Sequence, residues 1–94
     1  MGRRSSVYTL QKLLESKGFV VVSESWKDSL VFHASFCSVL LHKDNVSVFI
    51  SAALYGITVT VCDRKEDKPR TKVIIDQKEV LTDKDYAKVL FSIN

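Results

Sequence analysis

The chain contains few of the residues that interrupt or cross-link a fold. Its 94 residues include one proline, three glycines and two cysteines, and no CxxC pair is present. Cys37 and Cys62 lie inside segments that read as strands, with no metal-ligand partners near them in sequence. This pattern favours two reduced, semi-buried thiols over a disulfide or a zinc site.

Long apolar runs are missing too. No stretch approaches 18 residues without polar interruption, and the N-terminal sequence MGRRSSVYTL lacks the apolar region of a signal peptide. Gly2 and Ser6 match the short pattern for N-myristoylation, but Arg3 directly after Gly2 is an unfavourable context. We therefore expect a soluble, cytoplasmic protein with no membrane partner.

Motifs for catalysis and phosphate binding are absent. GxGxxG, GxxxxGK[ST], GxSxG and HExxH do not occur, and three glycines leave little to cradle a phosphate. An enzyme built on Glu24, His33 and Cys37 is the least supported interpretation, because His33 and Cys37 would lie about 13 Å apart along one strand. We expect no catalytic residue, no metal site, no cofactor and no small-molecule substrate.

The composition predicts a folded chain. Apolar residues make up 46% of the sequence and charged residues 27%, enough to bury a core that offsets the entropy of ordering the chain. We expect one domain over residues 1–94, with residues 1–5 flexible. The formal charge of +3 is a mild bias and carries little weight as a sign of nucleic-acid binding.

Hydrophobic periodicity predicts the element order α-β-β-β-β-β-α. Apolar residues at helical spacing predict a helix over Ser6–Lys17, capped by Ser5 or Ser6 and ended by Gly18. The sequence TDKD from Thr82 resembles a capping box for a second helix. We therefore predict an α+β fold: a five-stranded antiparallel β-meander with an N-terminal and a C-terminal helix packed on one face.

Predicted turns set the strand register. We predict a turn at Lys27-Asp28, a three-residue loop at Lys43-Asp44-Asn45 and a turn around Tyr55-Gly56. The three-residue loop places Phe36 and Leu40 on the helix side of the sheet, and a one-residue slip would reverse them. The residues predicted to form the core are Phe32, Val48, Ile50, Val59 and Val61.

The opposite face of the predicted sheet carries almost no charge. Since a solvated face would carry Lys, Arg, Glu and Gln, we expect something to cover it: one of the helices, a second copy of the chain or a protein partner. Its predicted members are Val20, Val22, Glu24, Trp26, Val31, His33, Ser35, Cys37, Val39, Leu41, Ser47, Phe49, Ser51, Ala53, Tyr55, Thr58, Thr60 and Cys62. The residues predicted to bind a partner are Trp26, Val31, Phe49 and Tyr55.

The predicted function is a small non-enzymatic protein-interaction or regulatory protein. It would act as a homodimer or by docking a protein partner on the uncharged sheet face or a strand edge. The alternative is a basic nucleic-acid-binding module that uses the 64–72 loop and the N-terminal arginines, with steeply salt-dependent binding. The residues assigned to the alternative are Arg3, Arg4, Arg64, Lys65, Lys68, Arg70 and Lys72.

Overall fold

The computed structural model describes residues 3–29, 34–64 and 69–93 and has the predicted element order. The elements are α1 (Arg3–Ser16), β1 (Val20–Ser29), β2 (Ala34–Lys43), β3 (Val46–Ala53), β4 (Gly56–Asp63), β5 (Arg70–Lys78) and α2 (Asp83–Ser92). The five strands form one antiparallel sheet in chain order, and residues of both helices join the same core on one face. The predicted α+β architecture is confirmed. Neither described helix is long and apolar enough to cross a membrane.

α1 begins at Arg3, three residues before the predicted start. Ser5 and Ser6 lie inside the helix, so the prediction that one of them caps it was wrong. Ser6 is buried and its Oγ accepts a hydrogen bond from the Leu81 N–H at 3.1 Å. This bond ties the start of α1 to the residue before the N-cap of α2. The fully buried apolar stripe of α1 comprises Val7, Leu10 and Leu14.

The C-terminus of α1 ends in the predicted glycine motif. Gly18 has a φ of +97°, a left-handed conformation that glycine adopts without steric cost. The N–H of Gly18 donates to the Glu15 carbonyl at 3.0 Å, and the N–H of Phe19 donates to the Leu14 carbonyl at 3.1 Å. This pair of bonds is the Schellman arrangement. Because Phe19 is buried, the motif also directs the chain from the helix into the core.

The N-terminus of α2 is held by the predicted capping box. The Thr82 hydroxyl accepts from the Asp85 N–H at 3.4 Å, and the Asp85 carboxylate accepts from the Thr82 N–H at 2.8 Å. Lys78 also donates to this carboxylate at 2.8 Å. Burial raises the pKa of Asp85, but the hydrogen bonds from Lys78 and Thr82 lower it more, so it lies below its ordinary value.

The first hairpin differs from the prediction in its turn. Lys27 and Asp28 lie inside β1, and residues 30–33 between β1 and β2 lie outside the described residues. Trp26 pairs with Cys37, so the predicted turn and register were wrong. Residues 30–33 read LVFH and contain no Gly, Pro, Asn or Asp, whereas Lys27-Asp28 offers a turn residue. The predicted core residue Phe32 falls in the segment that is not described.

β1 contains a bulge that reverses its side-chain alternation. The register with β2 shifts between Val21 and Ser23, which leaves one extra residue on β1. Val21 faces the helices before the bulge, and Glu24 and Trp26 face them beyond it, since both pair with buried residues of β2. The prediction that Glu24 and Trp26 lie on the face away from the helices was therefore wrong.

The β2–β3 loop is one residue shorter than predicted. Lys43 pairs with Val46, so only Asp44 and Asn45 form the loop, and Asp44 has a φ of 54°. Asp and Asn both tolerate the left-handed region, and for this reason composition did not decide the loop length. The two-residue loop reverses every side chain of β2 relative to the prediction.

That reversal exchanges two sets of apolar residues. Both faces of β2 are apolar, so alternation alone did not identify the buried one. The residues predicted to be outward but found in the core are Cys37, Val39 and Leu41. The residues predicted to face the helices but found on the opposite side are Phe36 and Leu40.

The β3–β4 hairpin keeps the predicted faces. Its loop is Leu54-Tyr55 rather than Tyr55-Gly56, but both loops are even, so the side-chain directions do not change. Gly56 has a φ of +123°, and a Cβ there would lie 2.8 Å from the Lys78 carbonyl oxygen, which excludes other residues. Four predicted core residues are confirmed as buried: Val48, Ile50, Val59 and Val61.

We expect Ile50→Ala to lower the free energy of unfolding by about 2–5 kcal/mol, because it opens a cavity among fully buried neighbours. Ser51→Ala is the matched control, since Ser51 is the next residue of β3 and points to the other face. Its effect should be below about 1 kcal/mol. Urea denaturation measures both, and equal midpoints for the two variants would contradict the assignment of faces.

We expect Asp85→Asn to destabilise the protein by about 1–3 kcal/mol at pH 7, because Lys78 and the cap lose a charged acceptor. The folded-state pKa of Asp85 is depressed, so its contribution is present above the unfolded pKa of about 3.9 and is lost as pH falls through the folded value. The difference from wild type should therefore shrink below about pH 4. Asp83→Asn, an exposed change in the same turn, is the control.

An Asp85→Asn deficit in urea denaturation that stayed equal from pH 7 to pH 3 would show that the effect is not electrostatic.

Candidate functional site

The sheet face turned away from the helices is uncovered in the described part of the chain. We call it the outer face, and define it on the three central strands as the residues that alternate with the core. Among these described side chains none is Asp, Glu, Lys or Arg. The outer face comprises Phe36, Ser38, Leu40, His42, Ser47, Phe49, Ser51, Ala53, Thr58, Thr60 and Cys62.

An apolar row crosses the middle of the outer face. Leu40 pairs with Phe49, Phe49 with Thr60, and Thr60 with Val73 of β5. Phe49 is 42% exposed and Val73 is 57% exposed, so the row is open to solvent. A neighbouring row consists of small hydroxyl residues: Ser38, Ser51 and Thr58. The face is therefore uncharged, partly apolar and rich in groups that both donate and accept hydrogen bonds.

The four residues predicted to bind a partner do not share one surface. Phe49 lies on the outer face as expected. Tyr55 is 75% exposed but lies in the β3–β4 turn, and Trp26 lies on the helix side. Val31 lies outside the described residues. Sequence reasoning missed Leu40, which a two-residue loop at Asp44-Asn45 would have placed opposite Phe49.

The two edge strands are poorly suited to pairing with another strand. β1 carries its bulge near the exposed residues Val20 and Val22, and the register between β4 and β5 shifts twice. The described part of β5 is also rich in charged residues: Arg70, Lys72, Asp76 and Lys78. Bulges and charges at sheet edges oppose edge-to-edge association.

A groove of about 740 Å³ lies between α1 and the helix side of β1. The bulge in β1 creates it by turning Glu24 and Trp26 toward the helix. The Arg4 guanidinium lies 5.4 Å from the centre of the Trp26 ring. The Lys12 ammonium lies 5.2 Å from the centre of the Tyr8 ring. The side chains that matter in this groove are Arg4, Tyr8, Gln11, Lys12, Glu24 and Trp26.

Gln11 is the most unusual residue of the groove. It is only 6% exposed, and its Oε1 is buried without a hydrogen-bond partner among residues 3–29, 34–64 and 69–93. Its Nε2 donates to Glu24 at 3.5 Å, and the Trp26 Nε1 donates to the same carboxylate oxygen at 3.4 Å. Both distances lie beyond the usual range for N–H···O bonds. The Glu24 carboxylate therefore receives only long hydrogen bonds from these two donors, and the Gln11 Oε1 receives none from the described residues.

The two basic clusters of the alternative prediction lie at opposite ends of the sheet. Arg3 donates to the carbonyls of Ala53 and Leu54 and pairs with Glu79 at 2.7 Å. The N–H of Arg64 donates to the Asn45 carbonyl, beyond the other end of β3. The eight residues of β3 span about 25 Å between them.

Their separation weakens the case for one continuous phosphate-binding patch. Arg4 stacks on Trp26, and Arg70 and Lys72 lie exposed on β5. Lys65 and Lys68 lie outside the described residues. The hydrogen bond from Arg3 holds the pKa of Glu79 below its ordinary value. This ion pair links α1 to the residue that follows β5.

The two cysteines lie on opposite faces of the sheet. Cys37 is buried on the helix side, and Cys62 is half-buried on the outer face. Burial raises the pKa of the Cys37 thiol, while a backbone hydrogen bond from Ala52 and the charge of Arg4 oppose this shift more weakly. The sheet between them prevents the two sulfur atoms from forming an intramolecular disulfide without unfolding.

No protein-family model matches the chain, and comparison with the curated proteins and with solved structures finds no match.

We expect Cys62 to react with a thiol reagent such as DTNB at least about tenfold faster than Cys37 at pH 8. Burial shields the Cys37 sulfur from the reagent and, by raising its pKa, lowers the fraction of Cys37 present as the reactive thiolate. The single variants Cys37→Ala and Cys62→Ala assign the two kinetic phases. In urea both thiols should react at a similar rate. Equal rates in the native protein would place Cys37 at the surface.

Proposed function

We propose that this chain is a small non-enzymatic protein-interaction domain that pairs with a second copy of itself through the outer face. The observation that supports the proposal is the apolar row formed by Leu40 and Phe49 on the outer face and continued by the exposed Val73 on β5. The outer face as defined on the three central strands carries no charged side chain among its described residues. Exposed apolar surface of this kind is costly in water and marks contact sites on other proteins. A soluble, cytoplasmic location remains a prediction from the sequence.

Charge favours a second copy as the occupant. The chain has a formal charge of +3, so two copies repel each other wherever charged faces meet. The outer face avoids this repulsion, because a two-fold axis through it places uncharged side chains against uncharged side chains. Its serine and threonine hydroxyls are able to donate and accept, so they are also able to pair with copies of themselves.

A weak dimer requires contact over the whole side of the sheet that carries the outer face, including the edge strands. Five strands about 4.8 Å apart and eight residues of about 3.4 Å each give this side of the whole sheet an area of roughly 650 Å², of which the three central strands contribute about 390 Å². Two such faces bury about 1,300 Å², near the lower limit of stable interfaces. The bulged and charged strand edges favour the face over the edge as the contact.

We expect wild type to sediment as a concentration-dependent dimer and Phe49→Glu to sediment as a folded monomer, because each copy would bury an unpaired carboxylate in the contact. Tyr55→Glu is the matched control: it replaces an exposed aromatic with the same charge, but in the β3–β4 turn. It should leave the dimer intact. Sedimentation velocity over a wide concentration range and circular dichroism measure assembly and folding.

Three outcomes would overturn the proposal. The first is a wild-type monomer at every concentration, which would leave only a different protein as the occupant of the face. The second is equal sedimentation of wild type and Phe49→Glu. The third is dimerisation that weakens steeply with salt, because contact through an uncharged face should be nearly insensitive to ionic strength.

A further inference from the structure

We propose that the outer face carries a proton-sensitive switch at His42, so that two copies pair near neutral pH and separate when this ring is protonated. The inference rests on the proposed function, because it concerns the regulation of the same contact. His42 is half-buried near one end of β2, and its side chain lies on the outer face. Histidine is the side chain that ordinarily changes its charge between pH 5 and 8.

A hydrogen bond holds the His42 ring over the middle strand of the sheet. Its Nδ1 lies 3.2 Å from the Oγ of Ser47, the residue with which His42 pairs on β3. Ser47 is buried although no described element covers the outer face, which agrees with a ring that lies over it. The ring therefore leans toward the centre of the outer face rather than toward the edge strand β1.

The Ser47 hydroxyl is compatible with both charge states of the ring. A neutral imidazole donates from one nitrogen and accepts at the other, whereas a protonated imidazole donates from both. A hydroxyl both donates and accepts, so Ser47 is able to keep its bond to Nδ1 in either state. The separated chain is therefore able to take up a proton on His42 without losing this contact.

The row of side chains around His42 contains no carboxylate. Its other members are Val20 on β1, Ser47 on β3, Cys62 on β4 and Thr71 on β5. Cys62 is the one titratable residue among them, and a cysteine thiol is uncharged at acidic pH. No member of the row supplies a negative charge to a protonated ring.

The charged residues that adjoin this row do not neutralise a protonated His42 either. Asp44 lies in the β2–β3 turn and Arg64 directly after β4, so the two contribute one charge of each sign. The Lys43 ammonium donates to the Lys17 carbonyl, just after α1 on the helix side. Within the part of the chain that the structure describes, no ion pair includes His42. Water is consequently the main source of stabilisation for the protonated ring in the separated chain.

Pairing through the outer face removes that water. A second copy related by a two-fold axis presents the same uncharged face, so its described residues bring no carboxylate to meet the ring. Burying an unpaired cation is strongly unfavourable, and each dimer contains two such rings. The lack of charge that favours pairing of two neutral faces therefore opposes pairing once His42 is protonated.

We expect the dissociation constant of the wild-type dimer to rise at least about tenfold when the pH falls from 7.5 to 5.5, because separation is coupled to the uptake of up to two protons per dimer. Sedimentation velocity over a range of concentrations at each pH measures this constant. Circular dichroism at pH 5.5 should show an intact fold, since the stabilising contribution of Asp85 is lost only at lower pH.

Two variants of His42 fix its charge. His42→Gln remains neutral and keeps a polar group beside Ser47, so its dissociation constant should change less than about twofold between the two pH values. His42→Arg remains charged and should pair at least about tenfold more weakly than wild type at pH 7.5. His33→Gln is the matched control: it removes the other histidine, which lies outside the described residues, and should keep the wild-type response.

The outcomes separate this inference from the proposed function. A wild-type protein that is monomeric at every concentration and at both pH values overturns both. A wild-type dimer with equal dissociation constants at pH 7.5 and 5.5 overturns the switch alone and leaves pairing through the outer face in place. The switch is also overturned if His42→Gln keeps the pH response, if His33→Gln loses it, or if the wild-type fold is lost at pH 5.5.

Discussion

Side-chain alternation across the antiparallel sheet is the constraint on which the rest of the structure depends. Each strand has one face in the core, so a single inserted or deleted residue moves every later side chain to the other side. Two local features use this property: the bulge between Val21 and Ser23, and the two-residue loop at Asp44-Asn45. Together they decide which residues meet the helices and which meet solvent.

The two faces of the sheet consequently have different chemistry. On the helix side, α1 and α2 pack on the sheet around a continuous apolar core. A hydrogen bond between Ser6 and Leu81 and two ion pairs, Arg3–Glu79 and Lys78–Asp85, fasten the helices there. The outer face has no described element over it. This uncharged, partly apolar face is the feature on which the proposal of pairing with a second copy rests.

The groove beside α1 is a product of the same bulge. Without the extra residue in β1, Glu24 and Trp26 would face the outer side, and Gln11 would lie against a simple apolar surface. The bulge instead places a carboxylate and an indole beside a buried amide that lacks its full set of hydrogen bonds. The sheet departs from regular pairing at two places in the described chain, at this bulge in β1 and between β4 and β5.

The sequence by itself determined the α+β class, the element order, the glycine end of α1, the capping box at Thr82 and the core positions of β3 and β4. These features depend on local chemistry or on an alternation with one apolar face. Only the tertiary structure decided the faces of β1 and β2, because β2 is apolar on both sides and no composition signal marks a bulge. Phe49 was therefore placed correctly from sequence, whereas Leu40 and the groove around Trp26 emerged only when the strands were paired.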